Sequence, residues 1–242
     1  NPADHGSLYG LLYRLSEFTG DPRYAEEADK AITWFFENTR SPETDLLPWG
    51  EHMFWDPHKD APGTSRQWYH EATHNDDFTF WDKVSRLAPQ SLGAYARGVW
   101  KHQIYDHNTG DFDRHTDYWH HGPRVDAGFL RHAAYYMNLW AWEYKRSQDP
   151  VMLEAVRVMR EHIERLRRPD GSIPPFSFAA TKSYPNFMEY TAALELQTSA
   201  FLYQAARVLS RYDEARVLAD RLRETARQTD EAFLALPHEI SS

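Results

Sequence analysis

The chain contains no cysteine. That excludes a disulfide framework, a thiolate nucleophile and a Cys-ligated zinc, leaving histidine and carboxylate as the strong metal ligands. Positive charge is in deficit, with 27 Lys and Arg against 36 Asp and Glu and a formal net charge of −9. Such a balance disfavours a large surface for nucleic-acid phosphates or anionic lipid, so neither nucleic acid nor membrane is expected as a partner. Apolar runs fall far below the ~18 residues of a membrane span. The start at Asn1-Pro2 shows no charged-then-apolar leader, so a soluble protein is expected, with periplasmic, secreted and cytoplasmic placement all open. Strand-like alternation is also missing over any length. What the chain has in plenty is aromatic and imidazole side chains, with 9 Trp, 14 Tyr and 13 His among 242 residues. That mixture suits sugar stacking and metal binding as well as a large aromatic core. The length fits a single domain over 1–242 with a substantial core.

Helical grammar recurs four times. Leu8, Leu11, Leu12, Leu15 and Phe18 repeat at steps of three and four, the pattern breaks at Thr19-Gly20, and Asp21-Pro22 restarts it as N-cap and first-turn proline. Ala25, Ala28, Ile32 and Phe35 then mark one face of a second helix ending near Asn38. A helix over 128–147 breaks at Gln148 and restarts at Asp149-Pro150, running to about Arg168. Another over 190–210 is followed by Asp213 as the cap of a last helix. Phe78–Leu87, Ala88-Pro89 and Leu92, Tyr95, Val99 and Ile104 form a fourth hairpin that Gly93 and Gly98 weaken. Trp34, Phe35, Trp140 and Trp142 read as core and inter-helix packing, and the basic stretch Arg157–Arg168 as a solvated helix face.

The hairpin corners at Pro22, Pro89, Pro150 and Asp213 are spaced by 67, 61 and 63 residues. Helical hairpins whose connections are long on one side only predict an all-α chain of the α/α toroid class. Four hairpins leave such a ring open, which suggests a fragment or a trimmed domain; an α-solenoid is the structural alternative.

The long connections, 39–77, 106–127 and 168–189, must emerge at one end of a hairpin repeat, and they hold the unusual residues. The first contains Trp49-Gly50-Glu51-His52, Trp55-Asp56-Pro57-His58, Trp68-Tyr69-His70-Glu71 and Asp76. The second contains Asp106-His107-Asn108, Asp111-Phe112-Asp113-Arg114-His115 and Trp119-His120-His121. The third is poorer, with Lys182, Tyr184 and Glu189. Long loops in compact domains are commonly functional or disordered, and tryptophan-rich loops are poor candidates for disorder. His and Glu from two loops can supply imidazole nitrogen and carboxylate oxygen, a donor set suiting manganese, nickel, cobalt or zinc better than calcium. Any one of these histidines also has an ordinary reading as a hydrogen-bonded surface or core residue.

Trp49-Gly50-Glu51-His52, His70-Glu71 and Arg114-His115, separated by 19 and 44 residues, resemble polysaccharide lyase family 2, the pectate lyases built on an α/α barrel. The resemblance runs from about residue 8 to 120. It implies a transition metal on His52, Glu71 and His115, with Arg114 acting at the reacting carbon. The family's second motif is His-Glu-Leu-Lys, whereas this chain reads His70-Glu71-Ala72-Thr73, so a basic residue near the substrate is missing. The chain is also about half the size expected of that barrel.

The implied chemistry suits the residue types. Lytic cleavage of a uronate polymer removes the C5 proton, alpha to the carboxylate, and expels the C4 oxygen. A metal at these positions would neutralise the carboxylate and stabilise the enolate-like transition state. Arginine ordinarily stays protonated. From the residues alone, Arg114 serves equally as a charge clamp while a nearby histidine or a bound water takes the proton. Lys182 is a candidate for binding a second carboxylate, or an ordinary solvated lysine. Trp49, Trp55, Trp68, His70 and Trp119 are candidate substrate contacts, although tryptophans here also serve to pack loops against the barrel. The partner expected is an acidic polysaccharide or oligosaccharide.

Two other functions fit the same residues. One is a glycoside hydrolase using carboxylates among Asp76, Asp111 and Asp113, with a histidine-based sugar epimerase as its close relative. The other is a non-catalytic helical-repeat binding module.

Overall fold

The computed structural model describes residues 6–47, 53–56, 58–64, 78–113, 128–177 and 191–235. They form α1 (Gly6–Thr19), α2 (Arg23–Asn38), the strands β1 (Met53–Asp56) and β2 (Ala61–Thr64), α3 (Trp81–Leu87) and α4 (Pro89–Gly98). A π-helical turn (Val99–Gln103) leads into β3 (Ile104–Asp106) and β4 (Asp111–Phe112). Then come α5 (Leu130–Ser147), α6 (Pro150–Leu166), α7 (Thr191–Leu209), a 3-10 turn (Asp213–Ala215) and α8 (Arg216–Ala235). Among the described residues the only sheets are two two-stranded ones, β1–β2 and β3–β4. No helix among these residues is long and apolar enough to cross a membrane. Two compact units result, Asn1–Ile104 with Arg114–Gly122, and Tyr105–Asp113 with Pro123–Ser242.

The first unit is held by aromatic contacts. Phe36 of α2 lies 5.5 Å from Phe78, 6.0 Å from Trp81 and 6.3 Å from Tyr95, centroid to centroid, and all four rings are buried. Tyr9 and Tyr13, one helical turn apart on α1, meet Phe80 at 6.1 and 5.6 Å, and the Tyr13 hydroxyl donates to Asp29 of α2 at 2.6 Å. This aromatic face decides which way α1 turns. Leu8, Leu11 and Phe18, expected in the core, point outward instead, with Phe18 90% exposed. The weak fourth hairpin forms as α3–α4, and Gly98 has a steric purpose there: a Cβ at that position would sit 2.4 Å from the Thr44 carbonyl oxygen. Loop residues 44–45 therefore pack directly against the end of α4.

In the second unit α5 is buried almost all round, from Leu130 to Tyr144, as a central helix must be. Its hairpin partner α6 starts as the Asp-Pro pair predicts, with the Asp149 carboxylate accepting the Val151 N–H at 3.0 Å. Gln148 ends α5 in the left-handed region at φ 56°, its N–H donating to Tyr144 O at 2.8 Å. Asn138 Nδ2 donates to Gln204 Oε1 at 2.9 Å, joining α5 to α7.

Two expected caps differ. Asp213 opens the 3-10 turn, pairs with Arg216, and leaves α8 to begin at Arg216. Asp21 accepts the Arg23 N–H at 3.0 Å, yet the N-cap position of α2 is Pro22. The Arg157–Arg168 stretch is only partly solvated. Arg157 pairs outward with Glu154 and Glu161, while Arg167 bonds Glu164 at 2.9 Å and reaches the Thr225 carbonyl on α8 at 3.1 Å. Phe35 and Trp140 are core as expected, but Trp34 is 43% exposed and Trp142 is only half-buried.

Candidate functional site

Each long connection is rooted by short-range chemistry, and those roots fix where the candidate residues leave the fold. After α2, Thr39 Oγ1 donates to Phe35 O at 2.7 Å and Ser41 N donates to Leu46 O at 2.8 Å, seating the buried Leu46 and Leu47. The chain next enters the β1–β2 hairpin, in the register Met53↔Thr64, Phe54↔Gly63, Trp55↔Pro62 and Asp56↔Ala61. Its turn is made by the Asp56 carboxylate, which accepts the His58 N–H at 2.9 Å and the Lys59 N–H at 3.3 Å. Those donors, the His58 amide first, hold the Asp56 carboxyl below its usual range.

The second connection begins as the β3–β4 hairpin. Asp106 repeats the device, accepting from the Asn108 N–H at 2.9 Å and the Thr109 N–H at 3.2 Å, and Gly110 closes the turn at φ 75°. A histidine from α6 holds this turn from beneath. His162 is buried; its Nδ1 lies 3.0 Å from the Thr109 carbonyl and 3.3 Å from Asp111 Oδ1, and Arg165 also reaches Thr109 O. Only a protonated Nδ1 can donate to that carbonyl. Burial pushes the His162 pKa down, against the opposing pull of the Asp111 charge. The neutral Nδ1–H tautomer is thus the resident form.

Downstream of this latch Phe112 and Asp113 are fully buried. Phe112 packs 5.7 Å from Tyr136 and 6.1 Å from His162, ring to ring. Gly128, where the second connection returns, fits against Phe112 so closely that a Cβ there would be 2.5 Å from the Phe112 oxygen. The root of the third connection meets the same place: Ser177 N donates to Gly128 O at 2.9 Å and Leu130 N to Pro175 O at 3.1 Å, around a Phe129↔Phe176 bridge. One end of this unit therefore gathers the stem leading to Arg114-His115, the return of that loop, and the segment leading toward Lys182.

The candidate ligands His52, Glu71 and His115, the candidate catalytic Arg114 and Lys182, and Trp49, Trp68, His70 and Trp119 lie outside the described residues. Of Trp55 the backbone alone is described, at the middle of β1 opposite Pro62.

A family model described as periplasmic pectate lyase matches residues 1–165. The chain belongs to that family. Two solved structures are similar to this pectate lyase family member in fold. One is an unsaturated glucuronyl hydrolase from Bacillus sp. GL1, described as responsible for the degradation of glycosaminoglycan, at 15% identity and a TM-score of 0.62, matching 99% of this chain and 64% of that one. The other is a UGL variant with dGlcA-Glc-Rha-Glc, at 15% identity and a TM-score of 0.61, matching 98% of this chain and 63% of that one. The fold class is all-α, of the α/α toroid type. The chain spans 63–64% of the length of those structures.

Two groups of residues in this pectate lyase family member escape inspection of the sequence. His162 sits on a basic helical stretch whose outward residues hide it; its only signal is that it follows Val158 by four places on the apolar stripe. Asp56 and Asp106 look like spare acids in unusual loops but are committed to turns. The signal for each is an aspartate followed by turn-forming residues, Pro57-His58-Lys59 and His107-Asn108-Thr109-Gly110, the pattern in which the carboxylate accepts N–H groups two and three residues on.

Proposed function

We propose that the chain is the catalytic region of a metal-assisted lyase that cleaves a uronate-containing polysaccharide, pectate-like in chemistry, by β-elimination. The observation carrying this reading is membership in the periplasmic pectate lyase family over residues 1–165, a range that includes His52, Glu71, Arg114 and His115. The donor set of two imidazoles and one carboxylate fits a divalent transition metal such as manganese, nickel, cobalt or zinc. Bound there, the ion supplies Lewis-acid neutralisation of the uronate carboxylate.

The remaining work falls to the chain's own groups. Arg114, which follows the buried Phe112-Asp113 stem in sequence, would act at the reacting carbon and take the C5 proton, or clamp the carboxylate while a histidine takes it. Electrons of the C5–H bond become the C4–C5 double bond as the C4–O bond breaks. Lys182 offers its ammonium to a second carboxylate, and Trp49, Trp55, Trp68, His70 and Trp119 offer stacking or hydrogen bonds to the sugars. A soluble periplasmic setting is consistent with the family's description.

A second reading, a glycoside hydrolase on the same fold, is favoured by the buried carboxylate of Asp113 beside Asp111 on that stem. The products separate the two. Elimination leaves an unsaturated uronide that absorbs in the ultraviolet, and hydrolysis of a saturated polymer does not. Incubation with polygalacturonate and manganese is expected to raise ultraviolet absorbance. Arg114→Lys should lose most of that signal with metal content unchanged, because an ammonium lacks the planar guanidinium fork. His115→Ala should lose both metal and signal. New reducing ends without ultraviolet absorbance would establish the hydrolase instead.

A further inference from the structure

At the C-terminal ends of α5 and α7 the second unit has a shallow recess open to solvent, about 110 Å³ in volume, lined by Trp142, Lys145, Arg207, Val208 and Arg211. The recess is cationic in a chain whose net charge is −9. Several other outward arginines on this unit are neutralised by their own helix, Arg157 by Glu154 and Glu161, Arg223 by Asp220, Arg227 by Glu224 and Glu231, although the exposed Arg221 is not. Lys145, Arg207 and Arg211 have no acid partner among the described residues. Arg207, in the last turn of α7, and Arg211, just beyond that helix, add like charges to the same recess.

The lysine is held in an unusual way. Its ammonium lies 4.0 Å from the centre of the Trp142 ring, a cation–π contact that fixes its position without using a carboxylate. Its N–H donors stay available beside two guanidinium groups. Basic residues at helix C-termini also answer the helix dipole. That explains their sign but not why three of them share one recess with an indole and a valine.

We infer that this recess is a second saccharide-binding site, specific for the carboxylate-bearing sugars of an acidic oligosaccharide. A bare inorganic anion would use the cations and ignore Trp142 and Val208. A neutral sugar would use the indole and leave three cations unanswered. A uronate presents both an apolar C–H face and a carboxylate, and successive units of an acidic polymer present carboxylates in series. The site would hold the polymer to the enzyme without taking part in cleavage. The choice of ligand shares its chemistry with the proposed substrate but needs neither the metal nor elimination.

The test uses the whole chain and affinity electrophoresis through gels containing polygalacturonate, with cleavage of a short galacturonate oligomer measured in parallel. Charge reversal at the two exposed positions, Arg207→Glu with Arg211→Glu, is expected to weaken retardation at least ten-fold and leave oligomer cleavage unchanged. Trp142→Ala should weaken it as well, with an unaltered circular dichroism spectrum showing that the fold is kept. Retardation unchanged in both variants would overturn the inference. So would full competition by inorganic phosphate at the concentration of galacturonate units, which would mark a plain anion site. Loss of ultraviolet-absorbing product would count against β-elimination alone, since retardation by polymer does not require cleavage.

Discussion

Gly128 offers the sharpest mechanical test of how the candidate loop is anchored. A methyl group there would lie 2.5 Å from the Phe112 oxygen and 2.7 and 2.9 Å from two of its ring carbons. The ring has nowhere to go, since it is fully buried between Tyr136 and His162. Overpacking of this kind costs about 1–3 kcal/mol, and the smaller unfolded-state entropy of alanine returns only about 0.4–1 kcal/mol. Gly128→Ala should therefore lose about 1–2 kcal/mol, lowering the urea midpoint followed by near-ultraviolet circular dichroism. Gly10→Ala is the matched control. Its added methyl would meet Phe80 Cζ at an ordinary 3.7 Å inside α1, so it should gain about 0.5–1 kcal/mol. Adding Phe112→Leu to Gly128→Ala should cost less than the two changes separately, because the ring part of the clash is gone. A Gly128→Ala protein as stable as the parent would refute the close packing of this stem.

Three further outcomes follow from other contacts. His162 is buried and its pKa lies below the ordinary value, so the unfolded chain takes up the proton first. The stability it contributes is full above about pH 6.5 and declines as pH falls below that, so the urea midpoint should drop more steeply from pH 7 to 5 in the parent than in His162→Gln. Equal slopes would remove His162 as the cause. Asp149→Ala should cost about 1 kcal/mol by scanning calorimetry, through loss of the bond to Val151 N, and Asp149→Asn should restore most of it. Arg146→Ala should cost about 1–3 kcal/mol, because it removes two charge-assisted hydrogen bonds from the fully buried Glu143 carboxylate; no loss of stability would show that these bonds contribute nothing net.

The sequence makes the helical scaffold legible because Asp-Pro pairs, glycines and a three-to-four residue period are local signals. Asp149-Pro150 and Ala88-Pro89 mark real corners for that reason. Burial on α1 is not local. The leucine stripe is a good amphipathic pattern, but Tyr9 and Tyr13 find Phe78 and Phe80, residues far along the chain, and their contacts rotate the leucines outward. Strands of two to four residues, as in β1–β2 and β3–β4, are too short to show a period of two; only their turn chemistry betrays them. The same shortness hides the acids. Asp56 and Asp106 can be told from catalytic carboxylates only once the amides they bind are in view. Outside the described residues, the ligand assignment rests on motif order and family membership.

The pair of main-chain bonds between Gly128–Leu130 and Pro175–Ser177 closes the α5–α6 hairpin into a ring of chain with no covalent link. In a protein without cysteine, this seal takes the part a disulfide would otherwise have. Because closure entropy grows only with the logarithm of loop length, a few hydrogen bonds and the Phe129–Phe176 contact at 4.8 Å suffice to keep so large a ring shut. The ring should open as one cooperative piece, so the amides of Leu130 and Ser177 should show a common protection factor in deuterium exchange, although some fifty residues separate them in sequence.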